Sequence, residues 1–203
     1  METNLSHEQS LTLISEMINR AQNNFQKESM NPMIYWGYMI AATAIANCIM
    51  MHVLKNPHLS FLIWLVMIPC AVGSYFINRR INRTALVKTH IDKIGDMLWK
   101  SFGIGVMIFI VTIYIVSFRL KDFQVMLLIN SVIMSMIGIC EFASACIYRY
   151  KPWYWLAALF WTGSVACAFL HVDMQFIVLA LCMILGFVIP GHLLNHQVRK
   201  SNV

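Results

Sequence analysis

One carboxylate, Glu141, stands in the stretch SVIMSMIGICEFASACIY, which otherwise holds no formal charge. A carboxyl group inside an apolar run can carry protons or tie two helices together by a hydrogen bond. Both roles face it into the bundle, away from lipid, where an ionisable group costs a few kcal/mol. Asn130, eleven residues earlier, falls only about 20° away round a helix, so the two polar side chains share a face. Gly138, Ser144 and Ala145 lie beside Glu141 and would let a neighbouring helix approach closely.

A partner for Glu141 follows from depth. In LGFVIPGHLL, Pro190 cannot donate to the carbonyl of Gly186, and that carbonyl lies near the depth expected for Glu141. Burial favours the uncharged acid, so Glu141 is expected to donate a hydrogen bond to the freed carbonyl, with His192 as the charged alternative. Asn47 is a further polar residue in an apolar run, and Pro69 a second position where a helix could break. His192 and His196 stand one turn apart, a spacing that suits two ligands of one metal. Catalytic zinc takes three protein ligands, and no third is near in sequence, so the pair reads as interfacial histidines and no metal or other cofactor is expected. No H-E-x-x-H, G-x-S-x-G, phosphate loop, calcium loop or Gly-rich dinucleotide motif occurs.

The elements that hold these residues are membrane spans. Hydrophobic residues make up 59% of the 203 and charged ones 12%, and mean hydropathy is +0.65. That is too apolar for a soluble chain with a solvated surface. Six runs, 32–54, 59–77, 101–118, 125–147, 153–170 and 176–194, contain no Asp, Lys or Arg, and only the fourth contains Glu. Each is long enough, at ~1.5 Å per residue, to cross a ~30 Å hydrocarbon core. The connections KNPH, RLKDFQ and HVDMQ are short, which makes antiparallel neighbours. The expected fold is an all-α membrane bundle of three helical hairpins, 31–203, preceded by a cytoplasmic segment, 1–30.

Basic residues set the orientation, because they are retained on the cytoplasmic side. Twelve of the fifteen Lys and Arg fall on one side: Arg20, Lys27, Arg79, Arg80, Arg83, Lys88, Lys93, Lys100, Arg149, Lys151, Arg199 and Lys200. Lys55, Arg119 and Lys121 fall on the other, so both termini are expected in the cytoplasm. This asymmetry accounts for the net charge of +6 without a nucleic-acid partner. Arg79, Arg80 and Arg83 are expected to anchor anionic lipid. The tyrosines and tryptophans cluster at the same ends, as a headgroup belt would. The six cysteines sit in apolar runs and read as small hydrophobes. Because the first thirty residues are polar, no cleavable signal is expected and the first span itself directs insertion.

Two cytoplasmic segments carry helical periodicity. Leu11, Ile14, Ile18, Ala21 and Phe25 mark an amphipathic helix over 7–28, with Ser6 and Gln9 as a capping box. Its apolar stripe is expected to pack on the inner ends of the spans, with a protein partner as the alternative. Val87, Ile91, Ile94 and Leu98 mark a second face that runs into the third span.

At LISEMINRAQNNFQ followed by YWGY the sequence resembles a large group of small multipass proteins of bacterial inner membranes, in which a polar N-terminal helix leads into a first span with Trp and Gly near its start. The resemblance covers about the first forty residues. It implies a bacterial inner-membrane location, no assigned activity and no functional residue. Three functions fit the residues. The first is a non-enzymatic binding, sensory or accessory component that acts through its cytoplasmic face, with a protein partner or a second copy. The second is a small transporter or proton-linked carrier that uses Glu141 and Asn130; the third is an intramembrane enzyme on lipid.

Overall fold

The computed structural model describes residues 32–54, 57–84 and 90–201. The expected N-terminal helix over 7–28 lies outside them, as do Val87 and the rest of the 85–89 connection. Every regular element among the described residues is helical. In chain order they are α1 (Pro32–Val53), a 3-10 stretch (Pro57–Val66) that passes into α2 (Met67–Thr84), α3 (His90–Leu120), a 3-10 turn (Phe123–Leu127), α4 (Leu128–Tyr148), α5 (Pro152–Ala168), α6 (Val172–Met183), a π turn (Ile184–Val188) and α7 (Ile189–Ser201). Five rods are long and apolar enough to cross a membrane: Pro32–Val53, Leu59–Phe76, Lys93–Leu120, Gln124–Tyr148 and Val172–His196. At 17 residues, α5 is the shortest rod, near the lower limit of ~17 residues for a crossing.

The rods end where local chemistry ends them. Arg149 closes α4 in the left-handed conformation, φ 52°, with its N–H on the Ala145 carbonyl; the Tyr150 N–H bonds the same carbonyl at 3.2 Å. Two residues later Pro152 opens α5 at its first position, where a missing N–H is harmless. At the other end Lys121 closes α3 with φ 52°, and the Ser117 hydroxyl donates to the Asp122 carbonyl at 2.6 Å. The carboxylate of Asp122 then accepts from the Gln124 N–H at 2.8 Å and starts the next turn. These tight reversals make α4, α5 and α6 an antiparallel series, so α4 and α6 run in the same direction.

Both prolines leave their helices continuous but change the winding. Pro69 sits in the first turn of α2, just after the change from 3-10 to α winding, a place where it costs no interior hydrogen bond. Pro190 follows the π turn, in which the Ile189 N–H reaches back five residues to the Ile184 carbonyl. A wider turn moves the Gly186 carbonyl away from the proline ring, which would collide with it in a regular helix.

The core lies among α1, α4, α5 and α6. Met134, Ile137, Phe160, Cys167, Leu179, Met183 and Phe187 pack there with Ala41 and Ala44 of α1. Half of the most apolar stretch of the last rod is buried, against 11% for Leu59–Phe76 and for Lys93–Leu120. The second and third rods therefore form a rim. They meet the core through aromatic side chains, Phe61, Trp64, Trp99 and Phe102; the Tyr35 hydroxyl donates to the Cys70 carbonyl at 3.2 Å, and the Trp99 ring meets the Phe187 ring at 6.0 Å between centroids. At the end of the bundle that carries Arg149 and Lys151, called inner below with the opposite end called outer, α3 packs through Gly95, which lies against the Tyr148 hydroxyl. Ile94, expected on the packing face, is exposed instead, because Tyr148 fits only against a residue without a side chain.

Candidate functional site

One face of α4 gathers the polar candidates. Asn130, Met134, Ile137, Glu141 and Ser144 alternate by three and four residues and are all buried, as one helical stripe must be. At its outer end the stripe is tied to α6 and α5. The Asn130 amide donates to Gln175 Oε1 at 3.3 Å, and Gln175 Nε2 donates to the carbonyls of Cys167 at 2.9 Å and Leu170 at 3.2 Å. Both carbonyls lie at the end of α5; that of Cys167 also accepts from the Leu170 N–H at 3.2 Å, so Gln175 reinforces a helix terminus.

A second polar knot lies on α1. With its amide nitrogen turned toward Ser60, Asn47 donates to the Ser60 carbonyl at 3.1 Å and hydroxyl at 2.8 Å, and its oxygen accepts from Trp64 Nε1 at 2.9 Å. The Trp64 ring reaches on to Phe176 of α6, 6.0 Å between centroids. Asn47 is thus part of the joint between α1 and the 3-10 stretch.

Glu141 differs from both. It is 2% exposed, and among the described residues nothing forms a hydrogen bond or ion pair with its carboxyl group. The bond expected from Glu141 to the Gly186 carbonyl or to His192 is not made. Gly186 lies against the Phe160 ring, 2.7 Å from where a Cβ would sit. His192 is exposed and its Nε2 meets the Tyr38 hydroxyl at 3.1 Å, on the α1 side. Counted inward from the Asn130–Gln175 contact, eleven residues along each of two parallel helices bring Glu141 level with Gly186, about 16 Å further in.

Two more polar groups near the inner end have no partner. The Ser144 hydroxyl, one turn inward of Glu141 on the same stripe, is buried and unbonded, and so is Trp153 Nε1 at the start of α5. The Trp153 ring stands edge-on to Tyr148, 5.4 Å between centroids, and to Tyr150, 5.9 Å. Burial pushes the Tyr150 phenol up from its ordinary range. In the outer half, Ser131 Oγ is also buried and unbonded, while its carbonyl accepts from the Ser164 hydroxyl at 2.7 Å.

The structure therefore brings Asn130 together with Gln175, and leaves Asn47, His192 and Glu141 in three separate environments. His196 is exposed at the far end of α7, and among the described residues no group of three His, Cys, Asp or Glu side chains converges. Sequence reasoning passed over Gln175, read Ser144 only as a small residue that allows close helix approach, and read Trp153 only as part of the headgroup belt. Gln175 had a readable signal: it is an amide in the first turn after a short loop, as near its end of the bundle as Asn130.

Comparison with known protein families, with curated proteins and with solved structures finds no match.

Proposed function

We propose that this chain is a six-span protein of a bacterial inner membrane, with both termini and the 79–100 segment in the cytoplasm, and that it serves as a non-enzymatic binding, sensory or accessory component acting through that face. The supporting observation is the length of α3. Its 31 residues form one helix, about 46 Å long, against a hydrocarbon core of ~30 Å. Roughly ten residues at its start therefore extend past the apolar layer. They carry Lys93, Asp96 and Lys100, and the chain returns to them directly from the end of α2. The rim rods thus end in a charged, projecting helical element, while the α1, α4, α5 and α6 core stays closely packed behind it. Arg79, Arg80 and Arg83 supply lipid anchoring at its base. The sixth span in this reading is α5, held upright by tight reversals at both ends.

Site-specific photo-crosslinking from Lys93 and Lys100, both exposed, tests this in intact cells. A discrete adduct, formed from the cytoplasmic side and weakened by charge reversal at Lys93 and Lys100, is expected. Labelling of a cysteine placed at Lys93 by an impermeant reagent added outside the cell would overturn the orientation and the function with it.

The runner-up, a proton-linked carrier, is favoured by one observation, the buried and unbonded Glu141. Reconstituted vesicles decide between the two. A proton or solute flux abolished by Glu141→Gln in a protein that still folds would establish the carrier.

A further inference from the structure

Three polar groups on the inner side of the bundle lie in sequence from the interface toward the core. Trp153 Nε1 and the Ser144 hydroxyl are buried without partners, and Glu141, a further turn in, is buried with nothing bonded to its carboxyl. Ser144 and Glu141 stand three residues apart on one stripe, and Tyr148, which stacks against Trp153, continues the same stripe toward the cytoplasmic end. A buried polar group without a hydrogen bond costs about 1–3 kcal/mol. Trp153 Nε1, a donor only, and the Ser144 hydroxyl, which can donate or accept, are groups that a buried water molecule satisfies, and Glu141 stands one turn along the stripe from Ser144.

The packing around them narrows the occupant. A Cβ at Gly138, one turn from Glu141, would lie 2.5 Å from the Trp161 ring, and one at Gly186 would lie 2.7 Å from the Phe160 ring. Helices that meet at glycine contact leave no space for an organic ligand. The way outward is closed as well, since Ile137 and Met134 fill the next two turns of the stripe and the Asn130–Gln175 contact ties α4 to α6 beyond them.

We infer that water enters this protein from the Tyr148 and Trp153 end and reaches Glu141 through Ser144, so that the carboxyl group exchanges protons with the cytoplasmic side alone. The inference deepens the cytoplasmic-face reading, on whose orientation it rests, by naming the group inside the membrane that would sense that side.

Infrared spectroscopy of the protein in lipid nanodiscs, at a pH low enough for the carboxylic acid band to be present, tests it. The band of Glu141 is the one lost in Glu141→Gln. On transfer to D2O it is expected to downshift promptly, while the core amides stay unexchanged. Ser144→Val should delay the shift, Ser144→Thr should restore it, and Ser131→Val, at the unbonded serine outward of Ile137, should leave it unchanged. Variants are compared only if their amide I band and elution volume match those of the parent, with Ser144→Ala in reserve should the valine not fold. A band that exchanges no faster than the core amides, or that exchanges equally fast without the Ser144 hydroxyl, overturns the inference. Crosslinking from Lys93 is unaffected by either result, so failure of the water route and failure of the partner reading are read separately.

Discussion

The two ends of the bundle differ in how they treat buried polar groups, with Ser131 Oγ the unbonded atom at the end where the amides are paired. In the outer half Asn130, Gln175 and Asn47 are each bonded at distances of 2.8–3.3 Å, to one another, to chain ends or to Trp64. In the inner half Glu141, Ser144 and Trp153 bring polar atoms into the interior without a partner. A bonded buried amide rigidifies the elements it joins, whereas an unbonded carboxyl inside a helical bundle costs stability. The lesson is one of placement: polar residues of similar depth and burial are structural at one end and candidates for function at the other.

The sharpest way to break this contrast is at Gln175. Gln175→Leu removes one acceptor and two donated bonds, leaving the Asn130 amide and the Leu170 carbonyl without that partner, while the Cys167 carbonyl keeps the Leu170 N–H. A loss of about 2–3 kcal/mol in thermal or denaturant unfolding is expected. An unchanged Tm would show that the outer knot contributes nothing.

Gly37→Ala probes the joint that holds α1 against the π turn. The added methyl would come within 2.9 Å of Phe187 Cβ and Val188 Cγ2, atoms close to the backbone that cannot swing away. About 1–3 kcal/mol of destabilisation is expected, the usual range for overpacking.

Glu141→Leu should act in the opposite direction. With no hydrogen bond to lose and an unsatisfied carboxyl to remove, the variant is expected to gain about 1 kcal/mol in the same unfolding measurement. A loss of similar size would mean that Glu141 has a partner inside the fold, and the two halves would then be alike.

The smallest effect belongs to the rim of the outer half, where His52 Nε2 and Asp173 Oδ2 stand 3.7 Å apart with the histidine well exposed. Asp173→Asn should shift stability by less than about 0.5 kcal/mol. A larger change would extend the outer network to the surface.

Sequence and structure agree unevenly along the chain. The apolar runs and their short connections were readable because hydrocarbon demands about twenty apolar residues per crossing and internally satisfied backbone, whatever the neighbours are; of the six runs expected, five form rods long and apolar enough to cross. The shared face of Asn130 and Glu141 was readable for a similar reason, since helical periodicity is local. What Asn130 bonds was not, because Gln175 is forty-five residues away and meets it only after two reversals. The same holds at α3, where periodicity pointed to Ile94 and the Tyr148 hydroxyl selected Gly95, and at Pro190, where a missing donor was evident but the π turn was not. Composition and period determine which segments enter the membrane and which face of each is polar. Only the packing of α4 between α5 and α6 decided that the Asn130 amide would be bonded and the Glu141 carboxyl left without a partner, because a hydrogen bond needs two groups within about 3 Å and nothing in one helix dictates what the next brings to that distance.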